Sequence, residues 1–297
     1  MPEAARNAGV FGAKIAGLSA AFFNSLLVST AFAEAPEGHP VPDEIGFQDA
    51  VTPIAHEIHQ FHDWLVLPII VAISLFVLLL LVIVVFKFNE KANPVPSQTT
   101  HNSLLEVAWT VLPVLVLVVI AIPSFRLLTH QLVIPASDMT IKVTGKQWYW
   151  SYSYPADQGG GFEFDSEIVQ DADLKPGDIR QLSVDNEAVV PVGKVVRVQV
   201  VADDVIHSFV IQAFGIRIDA VPGRLNETWF KAEREGVYYG QCSKLCGRDH
   251  AYMPIAFRVV SPEAYATWLQ EAKKKYASTT TAPLHFAGND VPQPAHQ

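Results

Sequence analysis

The chain of 297 residues is half apolar and its mean hydropathy is positive, which excludes an ordinary soluble domain and points to membrane segments. Its formal net charge of -9 excludes nucleic acid as a partner and favours a cationic one. Two cysteines are too few for a disulfide scaffold, so their spacing matters more than their number.

Residues 1–33 read as a cleaved signal peptide. Arg6 and Lys14 supply its positive region, Ile15 to Val28 its apolar core, and Ala31-Phe32-Ala33 its small-x-small cleavage pattern before Glu34. Residues 34–64 then form an exported N-terminal segment, in which Glu34, Glu37, Asp43, Glu44, Asp49, Glu57 and Asp63 face no Lys or Arg. His56, His59 and His62 recur there at helical spacing, either as a metal-binding set or as the face of an interfacial helix.

Residues 65–126 are expected to form a two-helix transmembrane hairpin. Leu65 to Phe86 is free of charge and long enough, at ~33 Å as a helix, to cross a hydrocarbon core. Trp64 and Lys87 border it as interfacial anchors. The second span runs from Leu104 to Phe125 and closes at Arg126. Between the spans, Lys87 to His101 is a short polar loop broken by Asn93-Pro94 and Pro96. Lys87 and Lys91 in that loop, against the acidic flank before the first span, place the loop in the cytoplasm and the rest outside.

Residues 127–260 read as all-β. Met139–Tyr154, Val195–Val201, His207–Phe214, Glu227–Lys231, Val237–Gln241 and Met253–Val260 are rich in β-branched and aromatic residues and are separated by turn signals. That spacing predicts a Greek-key sandwich or barrel. Between Asp157 and Glu187, nine carboxylates stand against Lys175 and Arg180, either as a solvated loop or as a field that steers a basic macromolecule. Residues 261–276 are expected to form a helix capped by Ser261 with Pro262 at its first position, and 277–297 a disordered tail.

The chemistry is concentrated between Cys242 and Met253, where Cys242, Cys246, His250 and Met253 gather two thiols, an imidazole and a thioether. Soft sulfur with imidazole selects copper or zinc, and the thioether favours copper. His207, at the head of its β-rich segment, is the best further ligand. A β-sandwich with one early His and a late Cys/His/Met loop has the cupredoxin layout. Two cysteines rather than one allow two coppers to be bridged. The competing readings are a Cys242–Cys246 disulfide and a Cys2His2 zinc site.

At this point the residues resemble a known family, subunit II of aa3-type cytochrome c oxidase. Gln241 to Pro254 resembles the loop that binds its dinuclear CuA centre, and Lys146 to Tyr152 its aromatic stretch. Asp204 to Phe209, Asp219 to Arg224, and Thr100-His101-Asn102 with Glu106 match further blocks, so the likeness covers roughly residues 50–276. It implies two copper ions bridged by Cys242 and Cys246, one completed by His207 and Met253, the other by His250 and the backbone carbonyl of Lys244. Trp148 then matches the aromatic that receives electrons from cytochrome c, and Glu106 the mouth of a proton pathway into subunit I. Read by residue alone, Trp148 is a core side chain of a strand and Glu106 a solvated helix start. Asp157, Asp185, Glu187, Asp203 and Asp204 would form the acidic face that docks cytochrome c.

The expected partners are cytochrome c, the haem-bearing subunit I, subunit III and membrane lipid, in a bacterial plasma membrane with the copper domain in the periplasm. Oxygen reduction belongs to subunit I, because no Cys-x-x-Cys-His haem motif is present here. One departure matters. The family usually has Glu where this chain has Lys244, and that carboxylate holds a Mg or Mn ion at the subunit I interface. An ammonium repels a divalent cation, so that contact is not expected here. A quinol oxidase subunit would lack the ligand set; a copper-delivery protein would need neither Trp148 nor Glu106.

Overall fold

A computed structural model describes residues 38–276, so the expected signal peptide and tail lie outside the described residues. Helix α1 spans Pro53–Phe61. Thr52 caps it, accepting from the Ala55 N–H at 3.1 Å while its own hydroxyl donates to the Phe214 carbonyl at 2.8 Å. A single π-helical turn, His62–Val66, leads without a break into α2, Leu67–Lys87. The helix thus starts well before the expected span. Helix α3 covers Ser103–Leu132 and is capped by Asn102, whose side chain accepts from the Leu105 N–H at 3.1 Å. It carries Pro113 and Pro123 and runs on past Phe125. Both helices are long and apolar enough to cross a membrane.

Ten strands follow: β1 Met139–Lys146, β2 Tyr149–Tyr154, β3 Phe162–Ser166, β4 Ala188–Pro191, β5 Val195–Ala202, β6 His207–Ile211, β7 Ile216–Ala220, β8 Asn226–Lys231, β9 Gly236–Cys242 and β10 Pro254–Val260. They form two five-stranded sheets ordered β3-β2-β1-β5-β8 and β4-β10-β9-β6-β7. Pairing is antiparallel except between β1 and β5 and between β4 and β10. The architecture is a cupredoxin-like sandwich, as the strand pattern predicts.

The expected run from Met139 to Tyr154 is two strands, because the chain turns back at Gln147 and Trp148 and pairs Lys146 with Tyr149. Trp150, Tyr152 and Tyr154 alternate along β2 and point into the core. There Trp150 meets Phe209, and Tyr152 meets Phe164 and Phe257, edge-on or tilted at ring separations of 5.3–5.7 Å, while Tyr154 stacks on Phe164 at 6.1 Å. Ser151 and Ser153, between them, are also buried, and their hydroxyls donate to the β3 carboxylates Asp165 and Glu163. Helix α4, Pro262–Tyr276, covers the far end of the core, with Trp268 5.2 Å from Tyr154 and Tyr276 4.8 Å from Phe164.

Helices and sandwich are stitched together beside α1. Val51 donates to the Ala213 carbonyl at 3.1 Å and accepts from the Glu233 N–H at 2.9 Å. His56 meets Glu233 at 3.1 Å, and His130 of α3 meets Glu57 at 3.0 Å.

Candidate metal centre

Strands β6 and β9 are neighbours with Phe209 opposite Cys242, so the head of one and the end of the other meet at one edge of the sandwich. The loop from Ser243 to Met253 closes over them. Its first residue donates to the Ser208 carbonyl at 3.0 Å, and the Met253 carbonyl accepts from the Cys242 N–H at 3.1 Å. The loop is therefore anchored at both ends before any ligand is considered.

The ligand atoms converge. His207, Cys242 and Cys246 are all buried, and their ligand atoms lie within 4.8 Å of one another. Among the described residues this is the only such group of three or more His, Cys, Asp or Glu side chains. His207 Nδ1 is 3.9 Å from Cys242 Sγ, and the two sulfurs are 3.9 Å apart as free thiols. His250 Nδ1 lies 3.5 Å from Cys246 Sγ, and the Lys244 carbonyl accepts from the Cys242 thiol at 3.3 Å. Met253 is fully buried in the same cluster, while the Lys244 side chain is exposed. The two sulfurs, both imidazoles and the Lys244 carbonyl thus come to one place, and the Met253 backbone meets Cys242 beside them.

Asp204 aims the first imidazole. Its carboxylate faces His207 Nε2 at 2.8 Å and accepts from the Gln147 and Val205 N–H groups at 2.6 Å, which turns Nδ1 toward the sulfurs. Burial opposes ionisation of Asp204, yet these hydrogen bonds outweigh it and hold its pKa below the usual carboxylate value. Burial likewise opposes the charged form of Cys242, but His207 and the backbone at Lys244 and Ser208 bring the thiol down to about 6. For Cys246, burial and the adjacent Cys242 thiolate push the thiol up to about 12. One negative charge forms readily between the sulfurs, and the second calls for a cation. Two thiolates, two imidazoles, a thioether and a carbonyl oxygen fit copper by softness and exceed what a tetrahedral zinc site uses.

Trp148 lies on the turn between β1 and β2 rather than in a strand. It packs on the metal loop where Gly247 has φ +130°, and a Cβ there would come 3.0 Å from the indole. The Arg248 guanidinium stands 5.3 Å from the same ring. Gln147 ties this turn to the site, donating to the Cys246 carbonyl at 2.9 Å. Trp150 is the core member of the aromatic run, 5.9 Å from the His207 ring.

The expected docking acids occupy several places. Asp203 sits 3.9 Å from Lys146, Asp204 is engaged with His207, and Glu187 pairs with Arg258. Asp185 accepts from the Glu167 N–H at 2.7 Å. Asp157 follows β2, at the opposite end of that strand from Trp148. Beside Trp148, a recess of about 440 Å³ is lined by Tyr149, Glu167, Ile168, Gln170, Asp249 and Tyr252. Sequence reasoning did not assemble Glu167, Asp249 and Tyr252 into that face. The available signal was that Asp249 and Tyr252 flank the ligands His250 and Met253.

Glu106 occupies the first turn of α3, where its carboxylate accepts from the Asn102 N–H at 3.2 Å in a reciprocal cap. The three histidines of the N-terminal segment do not converge. His56 turns to Glu233 and His62 to Asp63, while His59 stacks on Phe47 at 5.1 Å.

Known proteins match the chain over both its helical and its β-rich parts. The family model described as cytochrome C oxidase subunit II, periplasmic domain, matches residues 139–260, and the one for its transmembrane domain matches residues 40–127. The probable cytochrome c oxidase subunit 2 of Rickettsia bellii is 49% identical over 87% of this chain and 94% of its own. That of Cereibacter sphaeroides is 46% identical over 86% of this chain and 89% of its own. The solved periplasmic domain of subunit II of cytochrome oxidase from Bradyrhizobium japonicum is 61% identical, covering 48% of this chain and 99% of that one, with a TM-score of 0.45.

Proposed function

Because the chain belongs to the cytochrome c oxidase subunit II family, we propose that its exported domain accepts electrons from cytochrome c and passes them on to haem in subunit I. The observation that carries this reading is the convergence of both cysteine sulfurs and both imidazole Nδ1 atoms where the loop after β9 meets the head of β6. Copper, when bound, would supply a one-electron store shared over two ions.

The protein's own part is to hold that donor set rigid and dry. Cys242 and Cys246 would hold the copper through their thiolates, and the burial that keeps water away would strengthen their hold on a cation. His207 and Met253 would complete one copper; His250 and the Lys244 carbonyl would complete the other. Asp204 fixes the His207 tautomer and ring orientation. Trp148, packed on the loop and bordering the Glu167–Asp249 recess, is the conjugated side chain between docked cytochrome c and the metal loop. The acids around it would attract a basic haem protein. Glu106 would admit protons toward subunit I from the cytoplasmic side. Lys244 leaves no carboxylate for an interface Mg or Mn.

The chain is a membrane protein with two candidate spans. We further infer a bacterial plasma membrane, a signal peptide at residues 1–33, and packing of the hairpin against subunit I. The experiment that tests the central reading is metal content with electron paramagnetic resonance after copper loading. Two coppers per chain sharing one unpaired electron are expected. A single copper with a mononuclear signal, or none, would overturn it.

A further inference from the structure

The turn that carries Trp148 is bordered by cations as well as by acids. Lys146 stands 5.5 Å from the Tyr149 ring, and Arg248 stands 5.3 Å from the Trp148 ring. Trp148 and Tyr149, neighbours in the wall of the recess beside the metal loop, therefore each have a positive charge against them.

The two cations differ in what they leave open. Lys146 is largely covered and lies 4.0 Å from Asp165 and 3.9 Å from Asp203. The Arg248 side chain is 80% exposed, and its ion pair is with its chain neighbour Asp249. Nε donates to both carboxylate oxygens at 3.1 Å, and Nη2 donates to one of them at 2.8 Å. Both hydrogens of Nη1 have no partner among the described residues.

This arrangement changes what Asp249 can do. Its carboxylate is already held by a guanidinium, which the lysine of a docking protein would have to displace. A strongly basic protein also meets a positive group beside the indole. Of the two acids that line the recess, Glu167 alone has no ion pair among the described residues. Charge complementarity governs association rate and partner choice more than affinity, and like charges set face to face exclude a wrong partner.

We propose that Arg248 is a specificity-determining residue of the electron-entry face, one that disfavours strongly lysine-rich donors and favours a haem protein whose contact surface mixes lysines with carboxylates. The Nη1 hydrogens receive such a carboxylate, while Glu167 receives a lysine. The proposal rests on the reading of Trp148 as the point of electron entry. An arginine that only props the indole would affect every donor alike.

The test uses the whole copper-loaded oxidase and two donors that share one haem, a lysine-rich cytochrome c and the same protein with its lysines succinylated. At low salt the Arg248→Gln oxidase is expected to be reduced about threefold faster by the lysine-rich donor and about threefold slower by the succinylated one. Binding of the oxidised donors, read without turnover, should shift in the same directions. Both differences should fade at ~1 M salt, where charges are screened within about 3 Å. Arg248→Lys keeps the charge and should restore the wild-type ratio between donors. If Arg248→Gln slowed both donors by the same factor, the side chain would only hold Trp148 in place and the proposal would fall; no change with either donor would also overturn it. A wild-type oxidase that neither donor reduces would instead overturn the reading of electron entry on which the proposal stands.

Discussion

The hairpin and the sandwich use the same apolar side chains to opposite ends. In α2 and α3 no residue is buried within the chain; Leu79, for example, is 55% exposed. In the sandwich Trp150, Tyr152, Phe209 and Phe257 are wholly enclosed. Water drives the second arrangement and has no hold on the first, where lipid is as apolar as leucine. The difference teaches where chemistry can be built. A dry pocket with backbone groups within reach of its side chains exists only where strands and loops close over a core. The hairpin contributes position and the two charges that mark its borders, Glu106 and Arg126.

The largest expected effect falls on the sandwich side. Cys246→Ser removes one of the two sulfurs proposed to hold copper, and copper per chain is expected to fall from two to at most one, with cytochrome c oxidation lost by more than the about 10–100-fold that a change to a residue behind the ligands costs. Metal analysis beside steady-state oxidation checks it. Two coppers retained in that variant would break the claim that both thiols are needed. The comparison itself is sharpened by equal truncations in the two regions. Phe209→Ala is expected to cost ~3–5 kcal/mol of stability, whereas Leu79→Ala in the isolated chain should cost under ~0.5 kcal/mol. Denaturant unfolding of both variants would show it, and an equal loss would mean that the hairpin has a hidden core. Next comes Asp204→Asn. It keeps the shape but removes the charge that orients His207, and should weaken copper binding by about 10–100-fold while leaving the hairpin untouched.

How much of this was legible in the sequence follows from the same contrast. The spans were readable because lipid demands a long uncharged run, although their ends were not. The chain continues helically to Pro53 and Leu132 because caps and contacts with the sandwich, not hydropathy, set those limits. The donor set was readable because Cys242, Cys246, His250 and Met253 lie within one short loop, and His207 heads a strand. What lay beyond reading is what depends on the turn at Gln147 and Trp148. A run from Met139 to Tyr154 reads as continuous β, and nothing local announces that it doubles back to lay Trp148 on Gly247. The role of Asp204 was hidden for a related reason. In sequence it is one acid beside Asp203, while in the fold two N–H groups and an imidazole nitrogen meet its carboxylate.

A smaller effect tests the charge on the sulfurs without copper. In the metal-free protein, alkylation of Cys242 is expected to rise through a midpoint near pH 6, because hydrogen bonds from His207 and the loop backbone favour its thiolate over the cost of burial. A depressed thiol is protonated only as pH falls below that value, so reactivity is lost on the acid side and is already full where an ordinary cysteine begins to ionise. Cys246, pushed up to about 12 by burial and the neighbouring thiolate, should stay unreactive across the same range. Mass-resolved alkylation against pH separates the two, and matching profiles would sink the picture of one shared charge.

The smallest expected effects concern docking, where the fold redistributes what the acidic segment promised as a single patch. Asp157 lies at the end of β2 away from Trp148, and Glu187 is matched by Arg258, so neither presents a free charge beside the indole. Glu167 borders the recess next to Trp148, and so does Asp249, which is paired there with Arg248 at 2.8 Å. Changing a rim charge alters association rate and its salt dependence more than affinity. Asp249→Asn and Glu167→Gln should therefore slow electron acceptance from cytochrome c at low salt and flatten its dependence on ionic strength. Asp157→Asn should do neither. Stopped-flow reduction across a salt series distinguishes them. If Asp157→Asn flattened the curve as much as Asp249→Asn, attraction would come from the whole acidic surface, and the recess would be only one part of a broad field.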